Sequence, residues 1–187
     1  MNFPNILTLS RIVLAAVLVF LLEQNTSTGN IWAAFVFAVA SITDFYDGYL
    51  AKKWGLISDF GKIMDPIADK VLLLSTFGVL VHIGMVAGWM FIVIAVREVL
   101  VTISRLLAMR HGQVLAAERA GKGKTVVQII AVSAILLYLV AQQSGFCSSW
   151  FYHVQRAWLN VNDILMILAV ILTVYSGIEY YRHKPKI

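Results

Sequence analysis

The sequence predicts an all-α membrane protein with six transmembrane helices. Apolar residues make up 60% of the 187 residues and charged residues only 13%, and the mean hydropathy is +0.81. A soluble domain usually has about 25% charged residues. The apolar residues form long runs without the two-residue alternation of barrel strands, so we expect helices.

Six apolar spans follow one another, most of them near the roughly 20 residues that a helix needs to cross a bilayer. They cover residues 6–22, 31–51, 65–86, 89–109, 125–141 and 163–181. No internal repeat, low-complexity tract or linker divides them, so we expect a single domain over residues 1–187. The first span has one basic residue, Arg11, and no clear small-residue cleavage site after it. We therefore expect it to be retained and not removed as a signal peptide.

Basic residues predict the orientation of the spans, because cytoplasmic loops of membrane proteins carry an excess of Lys and Arg. Most basic residues lie at or near one set of span ends: Arg11, Lys52, Lys53, Lys62, Lys70, Arg105, Arg110, Arg119, Lys122, Lys124, Arg182, Lys184 and Lys186. Only Arg156 lies in a loop on the other side. We expect a multi-pass protein of the cell membrane with both termini, the connection between the second and third spans and residues 105–124 in the cytoplasm. Residues 23–30, 82–88 and 142–162 are expected outside.

Four aspartates lie where the second and third spans meet: Asp44, Asp47, Asp65 and Asp69. A charged side chain costs about 3 kcal/mol at the centre of a membrane helix on insertion scales. Four such groups imply a compensating charge, most simply a divalent cation. Carboxylate oxygens are the ligands that Mg²⁺ and Mn²⁺ prefer.

Helical spacing groups these aspartates with small residues. At roughly 100° per residue, one side of the second span presents Asp44, Asp47, Gly48 and Ala51. One side of the next segment presents Gly61, Asp65 and Asp69. Small residues let two helices, or a helix and a bulky ligand, approach closely. For Asp65 alone, an N-cap with Pro66 in the first turn of a new helix is an alternative, but capping does not account for all four aspartates.

The pattern Asp44-x-x-Asp47-Gly48-x-x-Ala51-Lys52, then eight residues, then Gly61-x-x-x-Asp65-x-x-x-Asp69 resembles the motif of the CDP-alcohol phosphatidyltransferases. One position differs, because the family usually has Arg where this chain has Lys52. Lysine keeps the charge but loses the bidentate phosphate binding of a guanidinium. Other stretches resemble a bacterial branch that uses glycerol 3-phosphate: PNILTLSR, DPIADK, Arg97-Glu98 and GKGKT.

This resemblance implies the family's fold, a homodimer and a reaction. The reaction is transfer of the phosphatidyl group from CDP-diacylglycerol to sn-glycerol 3-phosphate, with release of CMP. Other acceptors used in the family, namely phosphatidylglycerol, serine and inositol phosphate, remain alternatives. The implied metal is Mg²⁺ or Mn²⁺ on the four aspartates, with Asp69 also the candidate catalytic base. The implied donor-binding residues are Asn5, Thr8, Arg11, Asp44, Asp47, Gly48, Ala51, Lys52, Gly61 and Asp65.

Spacing alone leaves two interpretations for the N-terminal residues. Asn5, Thr8 and Arg11 recur at i, i+3 and i+6 and can line a pocket. Alternatively, Thr8 and Arg11 lie at the membrane interface, with Arg11 facing lipid phosphate. The resemblance favours the pocket, since this region lies beside the nucleotide in the family.

The fourth span contains Arg97-Glu98 near its middle, where charges need a polar cavity. Adjacent helix positions point about 100° apart, so we expect each residue to have another partner. A cationic pocket for glycerol 3-phosphate is expected from Arg97, Arg105, Lys122 and Lys124. The alternative is that the last three only set the topology.

Other functional classes are less well supported. A cation or proton transporter would place its acids near the midplane in broken, related halves, whereas these aspartates lie at one membrane edge. The net charge of +5 is explained by topology and anionic lipids, so no nucleic acid is expected. The GKGKT stretch lacks the upstream glycine and strand of a Walker motif. Single Cys147 and four scattered histidines predict neither a disulfide nor a histidine metal site.

Overall fold

In the computed structural model, the described part of the chain folds into six α-helices. The structure describes the backbone of residues 3–54, 59–110, 119–143 and 149–182, and the side chains of residues 9–43, 67–68, 70–108, 123–143 and 154–182. The helices are α1 (Phe3–Glu23), α2 (Ser27–Trp54), α3 (Asp59–His82), α4 (Gly88–Arg110), α5 (Arg119–Gln143) and α6 (Ser149–Arg182). Within these ranges there is no strand, and the predicted six-helix architecture is confirmed.

Two predicted element boundaries are wrong. Helix α6 begins at Ser149, so the predicted outer loop 142–162 is helical from that residue onward. The polar residues of this extension, which lowered its hydropathy, bond to α5: Gln155 Nε2 donates to Tyr138 Oη at 2.9 Å and Trp158 Nε1 to the Ala134 carbonyl at 3.3 Å. Contacts with α5 therefore stabilise the N-terminal part of α6, which the apolar pattern did not predict to be helical.

The other correction concerns the start of α3. The helix begins at Asp59 and runs without interruption through Asp65 and Pro66. Asp65 is therefore inside the helix and not its N-cap, and Pro66 is not in its first turn. The capping alternative for Asp65 is wrong, which leaves its carboxylate to be explained by another role.

The six helices close into a ring. Going around it, α1 packs against α2, α2 against α5, α5 against α6, α6 against α4, α4 against α3, and α3 against α1. A smaller contact between α3 and α5 crosses the ring. Consecutive helices alternate in direction, so the N-terminal ends of α1, α3 and α5 lie with the C-terminal ends of α2, α4 and α6. We call this end the aspartate end, because α2 and α3 carry Asp44 and Asp69 there.

The interior of the ring is apolar over most of its length. Its largest fully buried apolar side chains are Leu18, Leu22, Phe37, Phe77, Leu80, Ile94, Ile135, Leu136, Tyr138 and Met166. The outward faces are also apolar and carry many exposed large residues, such as Phe20, Ile92 and Ile171. A soluble monomer rarely exposes contiguous apolar surface of this extent, whereas a membrane protein needs it.

Apolar helical segments in the described part of the chain fall into two groups by length. Gly123–Gln143 and Val154–Arg182 are long and apolar enough to cross a bilayer. Ser27–Thr43 and Lys70–His82 are shorter apolar segments. The orientation of the termini stays a prediction, because it rests on the distribution of basic residues alone.

The opposite end of the ring is held by neutral polar side chains. Thr26 caps α2, accepting a hydrogen bond from the Gly29 amide at 3.1 Å. Asn30 Nδ2 donates to Gln143 Oε1 at 2.9 Å, and Gln143 Nε2 donates to Asn25 Oδ1 at 3.0 Å. These bonds connect the turn between α1 and α2 to the C-terminal end of α5.

Gly29 in this region is expected to be intolerant of a side chain. A Cβ there would lie 2.7 Å from the Leu21 carbonyl oxygen and 2.9 Å from Thr26 Oγ1. Gly29→Ala should therefore destabilise the protein by roughly 1–3 kcal/mol through overpacking. Thermal unfolding in detergent measures this as a lower Tm. Gly78→Ala is the matched control, since its nearest neighbour would be Phe91 Cζ at 4.0 Å; an equal loss in both variants would contradict the prediction.

Candidate functional site

The aspartate end contains a buried charged cluster centred on Glu98. The Glu98 side chain is only 4% exposed and receives cations from three helices. Lys70 Nζ of α3 lies 2.7 Å from Oε2, Lys124 Nζ of α5 donates to Oε1, and Arg97 Nη1 of α4 lies 3.6 Å from Oε1. We call these four residues the Glu98 cluster. The cluster thus brings three basic side chains and one carboxylate together.

The cluster clarifies the sequence prediction for Arg97 and Glu98. The expectation that Glu98 has a partner other than Arg97 is confirmed, since two lysines from other helices are its closer partners. Arg97 still contacts Glu98, although at 3.6 Å it is beyond a good hydrogen-bond distance. Adjacent helix positions point apart, but the long arginine side chain spans the difference.

Of the four residues predicted to bind the acceptor, two meet in the cluster and a third lies about two turns further along α4. Arg97 and Lys124 share Glu98. Arg105 is half-buried on α4, with its guanidinium 5.9 Å from the centre of the Tyr180 ring. Its Nε is buried and makes no hydrogen bond to any residue that the structure describes. The side chain of Lys122, the fourth, lies outside the described residues.

Polar contacts from α6 support this region. Tyr181 Oη lies 3.2 Å from Ser104 Oγ, next to Arg105. Deeper in the ring, Gln128 Nε2 donates to Thr173 Oγ1 at 3.1 Å, and all atoms of this pair are nearly inaccessible, at 1% and 0% exposure. Helix α6 thus supplies an aromatic partner to Arg105 of α4 and hydroxyl partners to Ser104 of α4 and Gln128 of α5.

The remaining predicted site residues map to the same end. Asp44, Asp47, Gly48, Ala51 and Lys52 belong to the last part of α2, and Gly61, Asp65 and Asp69 to the first part of α3. Asn5 and Thr8 lie near the start of α1. The side chains of all ten lie outside the described residues. Asp69 directly precedes Lys70, so the cluster and the aspartates occupy adjoining parts of α3.

Arg11 is the one predicted donor-binding residue whose side chain is described. It is 5% exposed and hence buried in the ring. The alternative in which Arg11 faces lipid phosphate is wrong. A buried arginine near the start of α1 is the position expected for a residue that lines an internal polar site.

The continuity of α2 and α3 bears on a metal site. Asp44 and Asp47 lie three positions apart on one unbroken helix, and Asp65 and Asp69 four positions apart on another. Such positions share a helix side, and carboxylates suit Mg²⁺ or Mn²⁺, so the donor chemistry fits the predicted cation. Elsewhere in the described part of the chain, no group of three potential metal ligands occurs.

Sequence reasoning missed two contributors. Lys70 was assigned only to membrane topology, yet it pairs with Glu98. The sequence signal for a partner such as Lys70 was Glu98 itself, because a glutamate inside an apolar span needs a counter-charge from a neighbouring helix. Tyr180, whose ring lies under Arg105, gave no sequence signal because tyrosines near membrane ends are common.

The fold and the cluster together define a helical membrane protein with a charged site inside one end of its helix ring. The chain belongs to the CDP-alcohol phosphatidyltransferase family, whose family model matches residues 1–175. The resemblance in the aspartate motif is thereby confirmed.

Characterised relatives match along nearly the whole chain. A CDP-diacylglycerol–glycerol-3-phosphate 3-phosphatidyltransferase of Bacillus subtilis is 35% identical, over 96% of this chain and 93% of the relative. A protein of the same name from Rickettsia typhi is 35% identical, over 97% and 96%. The Escherichia coli protein of that name is 29% identical, over 96% and 92%.

Proposed function

We propose that this protein transfers the phosphatidyl group of CDP-diacylglycerol to sn-glycerol 3-phosphate, giving phosphatidylglycerophosphate and CMP in phospholipid biosynthesis. The main support is the near full-length similarity to relatives named for this reaction. Membership of the family also argues against the transporter alternative.

The Glu98 cluster supports a phosphorylated acceptor. Its three basic side chains offer N–H donors of the kind that bind a phosphate monoester. Charge-assisted hydrogen bonds are about twice as strong as neutral ones, and they gain strength inside a membrane because little water competes. Arg105 of α4 adds a further cation, with a buried Nε that makes no hydrogen bond to a described residue. We assign acceptor binding to Arg97, Arg105, Lys122 and Lys124.

Donor binding is assigned to the motif on α1, α2 and α3. Helix α1 packs against both α2 and α3, so it can place Asn5, Thr8 and Arg11 beside the two aspartate segments. A bound Mg²⁺ or Mn²⁺ would be held by Asp44, Asp47, Asp65 and Asp69 and would offset the negative charge of the diphosphate. Lys52 would add a point charge near the nucleotide phosphates.

The proposed chemical step is a displacement at phosphorus. The acceptor's free hydroxyl oxygen forms a bond to the lipid-linked phosphorus, and the bond from that phosphorus to the oxygen of CMP breaks. Asp69 takes the hydroxyl proton, and CMP leaves with the bonding electrons. The sequence places Asp69 next to Lys70, which belongs to the Glu98 cluster, so base and acceptor phosphate would lie on adjoining parts of the site.

The location of the reaction is also a proposal. We propose a multi-pass protein of the inner or plasma membrane with its aspartate end facing the cytoplasm, since nearly all basic residues of the sequence lie at or near the span ends on that side. A water-soluble acceptor would then enter from the cytoplasm and the lipid donor from the bilayer.

The acceptor is the part of the proposal that most needs a test. Purified protein in lipid nanodiscs should release CMP from CDP-diacylglycerol only when sn-glycerol 3-phosphate is added. Phosphatidylglycerol, serine and inositol phosphate serve as matched acceptors. CMP release with one of these in place of glycerol 3-phosphate would move the protein to another branch of the family.

The homodimer also stays a proposal, implied by the family and by small residues suited to close helix contact. Ala38 is exposed and available to a second copy, whereas Ala40 is fully buried within one protomer. Cross-linking in native membranes should trap a dimer. Recovery of monomer alone, under conditions that trap a known dimer, would count against it.

A further inference from the structure

Glu98 lies among the three basic side chains of the cluster, two of which are proposed to bind the acceptor. It contacts all three cations of the cluster, although a carboxylate repels the phosphate that the cluster is proposed to bind. An acid in an anion site is useful only if its effect on the cations outweighs that repulsion. The contacts of Glu98 indicate that this effect is to hold the basic side chains in place.

The two carboxylate oxygens have different partners. Oε2 accepts from Lys70 of α3, whereas Oε1 is shared by Lys124 of α5 and Arg97 of α4. Lysine and arginine side chains have several rotatable bonds, and three like charges repel one another inside a ring of low polarity. Glu98 therefore holds cations from three helices around one point.

Burial keeps the three basic side chains largely out of water. Side-chain exposure is 3% for Lys124 and 13% for Arg97, and 24% for Lys70. Lys124 in particular cannot turn into water without a change in the packing of α5. An ion pair with Glu98 is what keeps its ammonium group in the interior, and removing one partner of such a pair leaves a buried charge uncompensated.

We propose that Glu98 is a positioning residue of the acceptor site, which fixes Lys70, Arg97 and Lys124 as a preformed receptor for a dianionic phosphate. The residue does not itself contact the phosphate. It acts by setting where three cations lie before the acceptor arrives, which lowers the cost of ordering them on binding. This inference rests on the proposed function for the identity of the acceptor, but not for the binding of phosphate.

The test is Glu98→Gln, which keeps the size of the side chain and removes its charge. If Glu98 positions the cations, the KM for glycerol 3-phosphate should rise about tenfold or more, as for the loss of one charge-assisted contact. The KM for CDP-diacylglycerol should change much less. If Glu98 only adds negative charge, the same variant should bind the acceptor more tightly, so an unchanged or lowered KM overturns the proposal.

Two further variants control for folding. Glu98→Asp keeps the charge but shortens the reach to Lys70 and Lys124, so its KM should lie between those of wild type and Glu98→Gln. If Glu98→Gln does not fold, the KM of Glu98→Asp for glycerol 3-phosphate is the test. A wild-type KM in that variant then overturns the proposal. Glu23→Gln alters an exposed glutamate at the opposite end of the ring and should leave both constants unchanged.

A binding measurement separates this inference from the proposed function. Inorganic phosphate should raise the Tm of the wild-type protein in nanodiscs and have little effect on Glu98→Gln. If glycerol 3-phosphate gives no CMP release but this difference is observed, the proposed function fails while the role of Glu98 stands. If phosphate does not stabilise the wild type, or stabilises both proteins equally, the role of Glu98 is overturned.

Discussion

Asp44→Asn or Asp65→Asn is expected to reduce CMP release to background while the protein remains folded and inserted. The amide keeps the size of the side chain but lacks the negative charge that a divalent cation needs in its ligands. Both positions lie within unbroken helices, so neither substitution removes a helix cap. Loss of the ligand charge should therefore affect the reaction more than the fold. Radiolabelled CDP-diacylglycerol in saturating Mg²⁺ measures the rate.

Asp163→Asn is the matched control, because Asp163 is exposed on α6 away from the aspartate end. It should retain full activity. Metal-depleted wild-type protein should be inactive and regain activity on addition of Mg²⁺ or Mn²⁺. CMP release near the wild-type rate from either aspartate variant would defeat the metal assignment.

Arg105→Gln is expected to raise the KM for glycerol 3-phosphate by more than about tenfold. A hydrogen bond to a charged group contributes about 1.5–3 kcal/mol, and each 1.4 kcal/mol corresponds to a factor of about ten in affinity. Arg105 has the geometry for such a contact, with a buried Nε and a guanidinium held over Tyr180. If the contact acts equally in ground and transition states, kcat should change little. Steady-state kinetics with each substrate varied in turn provide the measurement.

Two further variants make the Arg105 result specific. Arg105→Lys keeps the charge without the planar fork of donors and should show a smaller increase in KM. Arg156→Gln removes an exposed arginine from the opposite end of the ring and should have no effect. An unchanged dependence on glycerol 3-phosphate in Arg105→Gln would return this residue to a role in membrane topology. A defect confined to CDP-diacylglycerol would do the same.

Helix α6 illustrates where reasoning from sequence succeeded and failed. Its apolar half was predicted because membrane spans are recognised by composition and length. The first part, from Ser149, was missed because Gln155 and Trp158 lower the apolar signal but find partners on α5. Similarly, Pro66 is compatible by sequence with the first turn of a new helix, but α3 begins at Asp59 and continues through it. Local signals gave the type of element, and tertiary contacts set its limits.

The sequence by itself determined the membrane class, the number of helices, the aspartate motif and the family, since each depends on composition or on spacing within one or two helices. Only the tertiary structure decided which charges meet. Lys70 and Lys124 reach Glu98 from α3 and α5, and Arg105 lies over Tyr180 of α6. Closure of the six helices into a ring creates these contacts between residues far apart in the chain. A glutamate inside an apolar span needs a cationic partner, but only the packing of the helices decides which basic residue is that partner.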